Sequence, residues 1–204
     1  MILSDRIEFN YELFKKLRQA QHKTIDNDEF KWFEESYKAF KNFPLNDKKD
    51  LIYIIAFAYS WMPTMANFKS PIDKDLSDLI GKINSFNGLN SLNEFVNKEP
   101  LAKEILLSLV PIVNNSIVGT SKVLHFVNPN LFPIFDSRVL KGLNKILSSA
   151  NYKLVPKYIL SYPDKAIALY LEYLKLMIRW LTVVNSEEPS ITIRDLEVLV
   201  YLYG

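Results

Sequence analysis

The sequence predicts an all-α protein of about eight to ten helices, and three observations lead there. Glycine is scarce, 5 among 204 residues, so the chain has few of the positions that tight β-turns demand. Apolar residues return every three or four positions through most of the chain, which is the helical period. The segment SITIR, 190–194, could form a short extended piece, and no second strand offers itself for pairing.

The elements follow in order. Over 4–20, Ile7, Tyr11, Phe14 and Leu17 form a core-facing stripe. A polar link with His22 precedes a second helix over 28–40, whose Phe30, Phe33, Tyr37 and Phe40 share a face. Asn46 or Asp47 is placed to cap a third helix, LIYIIAFAYSWM at its centre, which stops near Met62-Pro63. Helical spacing returns over 72–86. A loop around Gly88 and a short helix come next. Pro100 is suited to the first position of a helix over 101–113. Asp136 opens a helix to Leu147. After an irregular stretch, Pro163-Asp164 starts the strongest helix of the chain, 165–184, and a last helix covers 192–203.

Composition narrows the function. Cysteine is absent, which excludes disulfides, thiolate metal sites, iron–sulfur clusters and cysteine nucleophiles. His22 and His125 are too few for a histidine-rich metal site. Net charge is only +2, so a nucleic-acid partner would need a local basic face. The longest apolar run has 12 residues, against ~20 for a membrane span, so it reads as a buried helix and no membrane partner is expected. The early acidic residues and the lack of an apolar signal core point to the cytoplasm. No phosphate loop, dinucleotide fingerprint, His-Glu-x-x-His or serine elbow is present, and no cofactor or metal is called for.

One stretch carries chemistry. SKVLHFVNPNLFPIFDSRV, 121–139, is apolar around its Asn-Pro and Phe-Pro steps until Asp136. By residue type alone Asp136 is a helix N-cap. The rigid FPIF frame before it would also hold a carboxylate as catalysis requires. Arg138, Lys141 and Lys145 then form a basic edge on the same helix, either an ordinary solvated face or a phosphate contact.

The longer stretch NNSIVGTSKVLHFVNPNLFPIFDSRVLKGL, 114–143, resembles the core of the helix-hairpin-helix DNA glycosylases. In that family a hairpin and helix bind the DNA backbone, and a short apolar segment delivers an invariant aspartate at the start of the next helix. The resemblance implies an all-helical fold in one compact unit over 1–204, open to a two-lobed arrangement with the site between lobes. It implies excision of a modified or mispaired base from DNA. It places the catalytic aspartate on Asp136. DNA contacts would fall on Gly119, Thr120 and Ser121 of the hairpin region, with Arg138 and Lys141 beyond it. Some members use a lysine near the hairpin as an imine-forming nucleophile. Lys122 stands one residue beyond that place, about 100° further round the helix, as a nucleophile or a phosphate contact. The alternative is a nucleic-acid-binding or protein-interaction module on the same scaffold, in which Asp136 is only a cap.

Overall fold

The computed structural model describes residues 8–21, 28–62, 65, 75–89, 92–149 and 154–204, the side chains of 21, 28–33 and 92 excepted. Among the described residues there are nine α-helices and no strand: α1 Tyr11–Gln21, α2 Asp28–Phe40, α3 Lys48–Ser60, α4 Ser77–Asn84, α5 Leu92–Ile112, α6 Ile117–Val127, α7 Ser137–Ser149, α8 Pro163–Asn185 and α9 Ile193–Tyr203. A 3-10 turn at Lys157–Ser161 precedes α8. The expected helix start at Ser4 and its Ile7, His22, the Phe30 and Phe33 side chains, Pro63 and the helical spacing at Ile72 lie outside the described residues.

Local chemistry sets most boundaries. Asp47 caps α3 by accepting the N–H groups of Lys49 and Asp50 at 2.8 and 3.0 Å. Asp75 accepts the Ser77 N–H at 2.9 Å, and α4 begins there. Pro163 occupies the first turn of α8, where its missing N–H costs nothing. In SITIR, Thr192 and Asp195 form a capping box that opens α9, so the extended reading gives way to a cap.

Pro100 departs from expectation. It lies inside α5 instead of starting a new helix. A proline deprives the carbonyl four residues earlier of its donor. For Pro100 and Pro111 those carbonyls belong to Val96 and Leu107, each 47 % exposed, so water can take the freed oxygen and the helix runs on.

The core is organised around α6. Its side chains are buried almost all round, and Tyr59, Phe86, Phe126, Phe132, Phe135, Tyr170 and Tyr173 fill the surrounding space. α5 meets α6 at 116° across a four-residue turn, 113–116. Asn114 and Asn115 take left-handed φ of 55° and 54° there, a conformation asparagine tolerates. Gly119 makes the α6 approach possible. A Cβ at that position would press within 2.8 Å of Val113 Cγ1 and 3.2 Å of the Tyr59 hydroxyl. Gly142 does the same for α7 against α9, because a Cβ would fall inside the Val200 carbonyl. Among the described residues no single helix is long and apolar enough to cross a membrane.

Candidate functional site

Residues 128–136 leave α6 and reach α7 as irregular chain with no strand beside them. Buried backbone groups need partners, and here no ladder supplies them. Buried side chains do so instead. His125 Nδ1–H donates to the Phe132 carbonyl at 2.6 Å, and the Tyr170 hydroxyl donates to the Pro133 carbonyl at 3.0 Å. The Ile134 N–H donates to the Glu197 carboxylate. The Phe135 N–H donates to Ser121 Oγ at 3.0 Å, and that hydroxyl donates to the Val118 carbonyl at 2.9 Å. Thus α6, α8 and α9 together stand in for a neighbouring strand. Ser121, His125 and Glu197, three polar residues of the core, are explained by this cradle: each binds the segment that delivers Asp136.

The cradle fixes the chemistry of His125. A carbonyl only accepts, so Nδ1 carries the proton and Nε2 keeps a lone pair, which finds no partner among the described residues. Burial pushes the imidazole pKa down from 6.5 to about 3, with the Arg194 charge adding to the effect. The ring is therefore neutral near neutral pH.

At the end of the segment, Asp136 Oδ1 accepts the N–H groups of Arg138 and Val139, both at 2.9 Å. Asp136 is the N-cap of α7. It also lines a cavity of about 90 Å3 with Lys122, Glu197 and Arg194, walled by Trp61 and Tyr201. The two roles coexist: the cap holds the carboxylate at the cavity.

Lys122 is only 7 % exposed, and its Nζ donates to the Trp61 carbonyl at 3.2 Å. Burial lowers its pKa below the ordinary lysine value, while the carboxylates of Asp136 and Glu197 oppose that shift. The result is an amine that loses its proton more readily than a surface lysine, beside a carboxylate. Glu197 is buried to 1 % exposure, and desolvation raises its pKa against the opposing pull of Arg194. Arg194 Nη1 lies 2.5 Å from Glu197 Oε2, and its guanidinium stands 4.8 Å from the Tyr37 ring centroid. Burial pushes the Tyr37 phenol up to about 12, against the opposing pull of the Arg194 charge, so it stays protonated.

The structure brings Lys122 and Asp136 to one cavity although Lys122 stands one residue beyond the place the resemblance assigns to a lysine. It corrects the hairpin. The turn lies at 113–116, and Val118-Gly119 belong to the first turn of α6. The Gly119 N–H is taken by Ser116 Oγ at 3.1 Å. Thr120 and Ser121 are fully buried, and Ser121 is committed to the cradle. Gly119, Thr120 and Ser121 therefore do not form the exposed phosphate-binding turn that was expected. The physical reason is that α6 sinks into the core and is buried almost all round, its polar residues included. Arg138 and Lys141 remain exposed on α7. Arg138 donates to the Tyr201 hydroxyl at 2.8 Å, at the wall of the cavity, and Lys145 donates to the Tyr203 carbonyl at 2.7 Å.

Arg194, Glu197, Tyr37 and Trp61 were not identified from sequence. One signal was there. Ile193, Leu196, Glu197 and Val200 fall at i, i+3, i+4 and i+7, which puts a carboxylate on the apolar stripe of α9. In comparisons with known proteins, no family model matches the chain, and no curated protein or solved structure matches it.

Proposed function

We propose that this chain is a DNA glycosylase-like enzyme, with a helix-hairpin-helix glycosylase-like arrangement, that excises a modified or mispaired base at the Lys122–Asp136 cavity. One observation carries the reading: a buried lysine with a lowered pKa and a rigidly capped aspartate, 14 positions apart in the chain, line the same small cavity.

The roles follow from the chemistry. The base must leave the stack to reach so enclosed a site. The neutral Lys122 amine attacks C1′ of the sugar. The C1′–N bond breaks, and the base leaves with that electron pair and takes up a proton. The Asp136 carboxylate offsets the positive charge that develops on the sugar. Loss of the amine proton and ring opening then give an imine, which water hydrolyses or β-elimination resolves. Arg138, bonded to Tyr201 at the cavity wall, and the exposed Lys141 on the same helix contact phosphates.

The test is base release. Duplexes carrying a panel of modified bases and mismatches are incubated with the protein and assayed with and without alkali. Release of at least one base, with a borohydride-trapped adduct that disappears in Lys122→Gln, is the expected outcome. No release from folded protein across the panel would oppose the reading.

A second reading, a nucleic-acid-binding or protein-interaction module with altered chemistry, is favoured by the burial of Thr120 and Ser121. It expects binding to DNA without base release.

A further inference from the structure

Positive charge is gathered in one part of the chain. Residues 136–165 carry six basic and two acidic side chains, a surplus of +4 against +2 for the whole protein, so the rest of the chain sums to −2. The two acids, Asp136 and Asp164, stand at the N-termini of α7 and α8, where the helix dipole offsets part of their charge. Within α7 there is no acidic residue. Arg138, Lys141 and Lys145 fall at i, i+3 and i+7, so they share one exposed face over about 10 Å of helix. The bonds they make go to neutral groups. Arg138 donates to the Tyr201 hydroxyl and lies 5.2 Å from that ring's centroid, and Lys145 donates to the Tyr203 carbonyl and lies 5.4 Å from that ring's centroid. A guanidinium and an ammonium each have several donors, so both cations keep donors and their full charge for a further partner.

An aromatic platform is fastened to this helix. Asn144, next to Lys145, donates to the Val155 carbonyl and accepts the Val155 N–H, both at 2.8 Å. These bonds hold against α7 the stretch that enters the 3-10 turn. In that turn Ile159 and Leu160 pack onto the core, while Tyr158 and Tyr162 stand out, 63 % and 52 % exposed. Their rings meet edge to face with centroids 6.1 Å apart, and Lys165 Nζ lies 5.1 Å from the Tyr162 centroid. Tyrosine rings offered to solvent beside cations suit a partner that has both flat apolar faces and negative charge. A base inside a duplex has its faces stacked on its neighbours. A base in a single strand is free to lay a face on a tyrosine.

We infer that the α7 face and the tyrosine pair form a track for an unpaired nucleic-acid strand. Arg138, Lys141 and Lys145 take its phosphates, Tyr158 and Tyr162 stack on its bases, and the Asp136 cavity, whose Tyr201 wall holds Arg138, lies at one end. The inference rests on the glycosylase reading in taking the cavity as the place where the strand is acted on, but the test separates the two.

Fluorescence anisotropy at about 50 mM salt compares a labelled ~16-nucleotide DNA strand, an RNA strand of the same sequence and the corresponding DNA duplex. The expected result is about tenfold or more tighter binding of the unpaired strand, DNA or RNA, than of the duplex. Tyr158→Ala combined with Tyr162→Ala should weaken strand binding by about tenfold or more and leave duplex binding unchanged. Both rings are exposed, so the double variant should fold. Lys141→Gln should weaken strand binding and reduce its salt slope by about 0.7, the share of one phosphate contact. Equal or tighter binding of the duplex, no loss on removing the two rings, or no binding of any nucleic acid overturns the inference. So does binding to phosphatidylserine vesicles in place of the strand, lost in the same variants, because basic and aromatic residues also suit an anionic membrane. Strand binding without release of any base would leave the track standing and remove the glycosylase reading. Base release with the duplex preferred would do the reverse.

Discussion

Ser121 Oγ accepts the Phe135 N–H at 3.0 Å, and that bond ties the middle of α6 to the residue just before Asp136. The donor and acceptor are both buried, so the Phe135 N–H would lack a partner without this hydroxyl. The position of the carboxylate thus depends on a hydroxyl that the family resemblance had assigned to phosphate binding.

Replacing Ser121 with Ala should leave the Phe135 N–H unsatisfied in the core. The expected cost is about 1–3 kcal/mol of stability, seen as a lower denaturant midpoint at unchanged slope. A midpoint equal to wild type would mean that the bond does not anchor the segment.

Glu197 serves two partners, the Ile134 N–H and the Arg194 guanidinium. Glu197→Leu strands a buried cation and a buried N–H, and should destabilise by about 3–5 kcal/mol. Glu197→Gln keeps an acceptor oxygen and should cost clearly less. Thermal or denaturant unfolding of the two variants side by side checks the order, and an inverted order would contradict the cradle.

On the excision reading, Lys122 is buried for its chemistry and at a cost in stability. Lys122→Met removes the cost of desolvating an ammonium and keeps the length of the side chain. Its melting temperature should equal or exceed that of wild type, while borohydride trapping is lost. A marked fall in melting temperature would instead make Lys122 a structural residue.

His125 gives the fold an acid limit. Its folded pKa of about 3 lies below the ordinary 6.5, so below pH 6.5 the unfolded chain binds a proton that the fold refuses. This contribution is fully present above pH 6.5. It is lost at up to about 1.4 kcal/mol per pH unit as pH falls towards 3. His125→Asn, which can still donate to Phe132, should flatten that limb in unfolding midpoints measured against pH. An unchanged pH slope would show that His125 does not control it.

Much of the fold was legible because local chemistry determined it. Asp47, Pro163 and the stripe of α8 each mark a boundary or face without help from distant residues. Pro100 misled, because a proline is tolerated inside a helix when the freed carbonyl meets water, and exposure is not written in the local sequence. The hairpin was misplaced for a related reason. Glycine was taken as the sign of the turn, while Asn114 and Asn115 carry its left-handed positions and Gly119 serves close packing. Asp136 was singled out by residue type and its rigid frame and Lys122 by the family resemblance, and both line the small cavity. Their partners were not, since Arg194 and Glu197 reach the cavity only when α9 folds back over the segment from 58 or more positions away.

The most direct test of the account is base release by Asp136→Asn. Asparagine caps helices as well as aspartate, so the variant should fold with near wild-type stability. If the cavity is a base-excision centre, a base released by the wild-type protein should no longer be released at a measurable rate, while DNA binding persists. Undiminished release by a folded Asp136→Asn protein would show that the carboxylate is only a cap and would contradict the central claim.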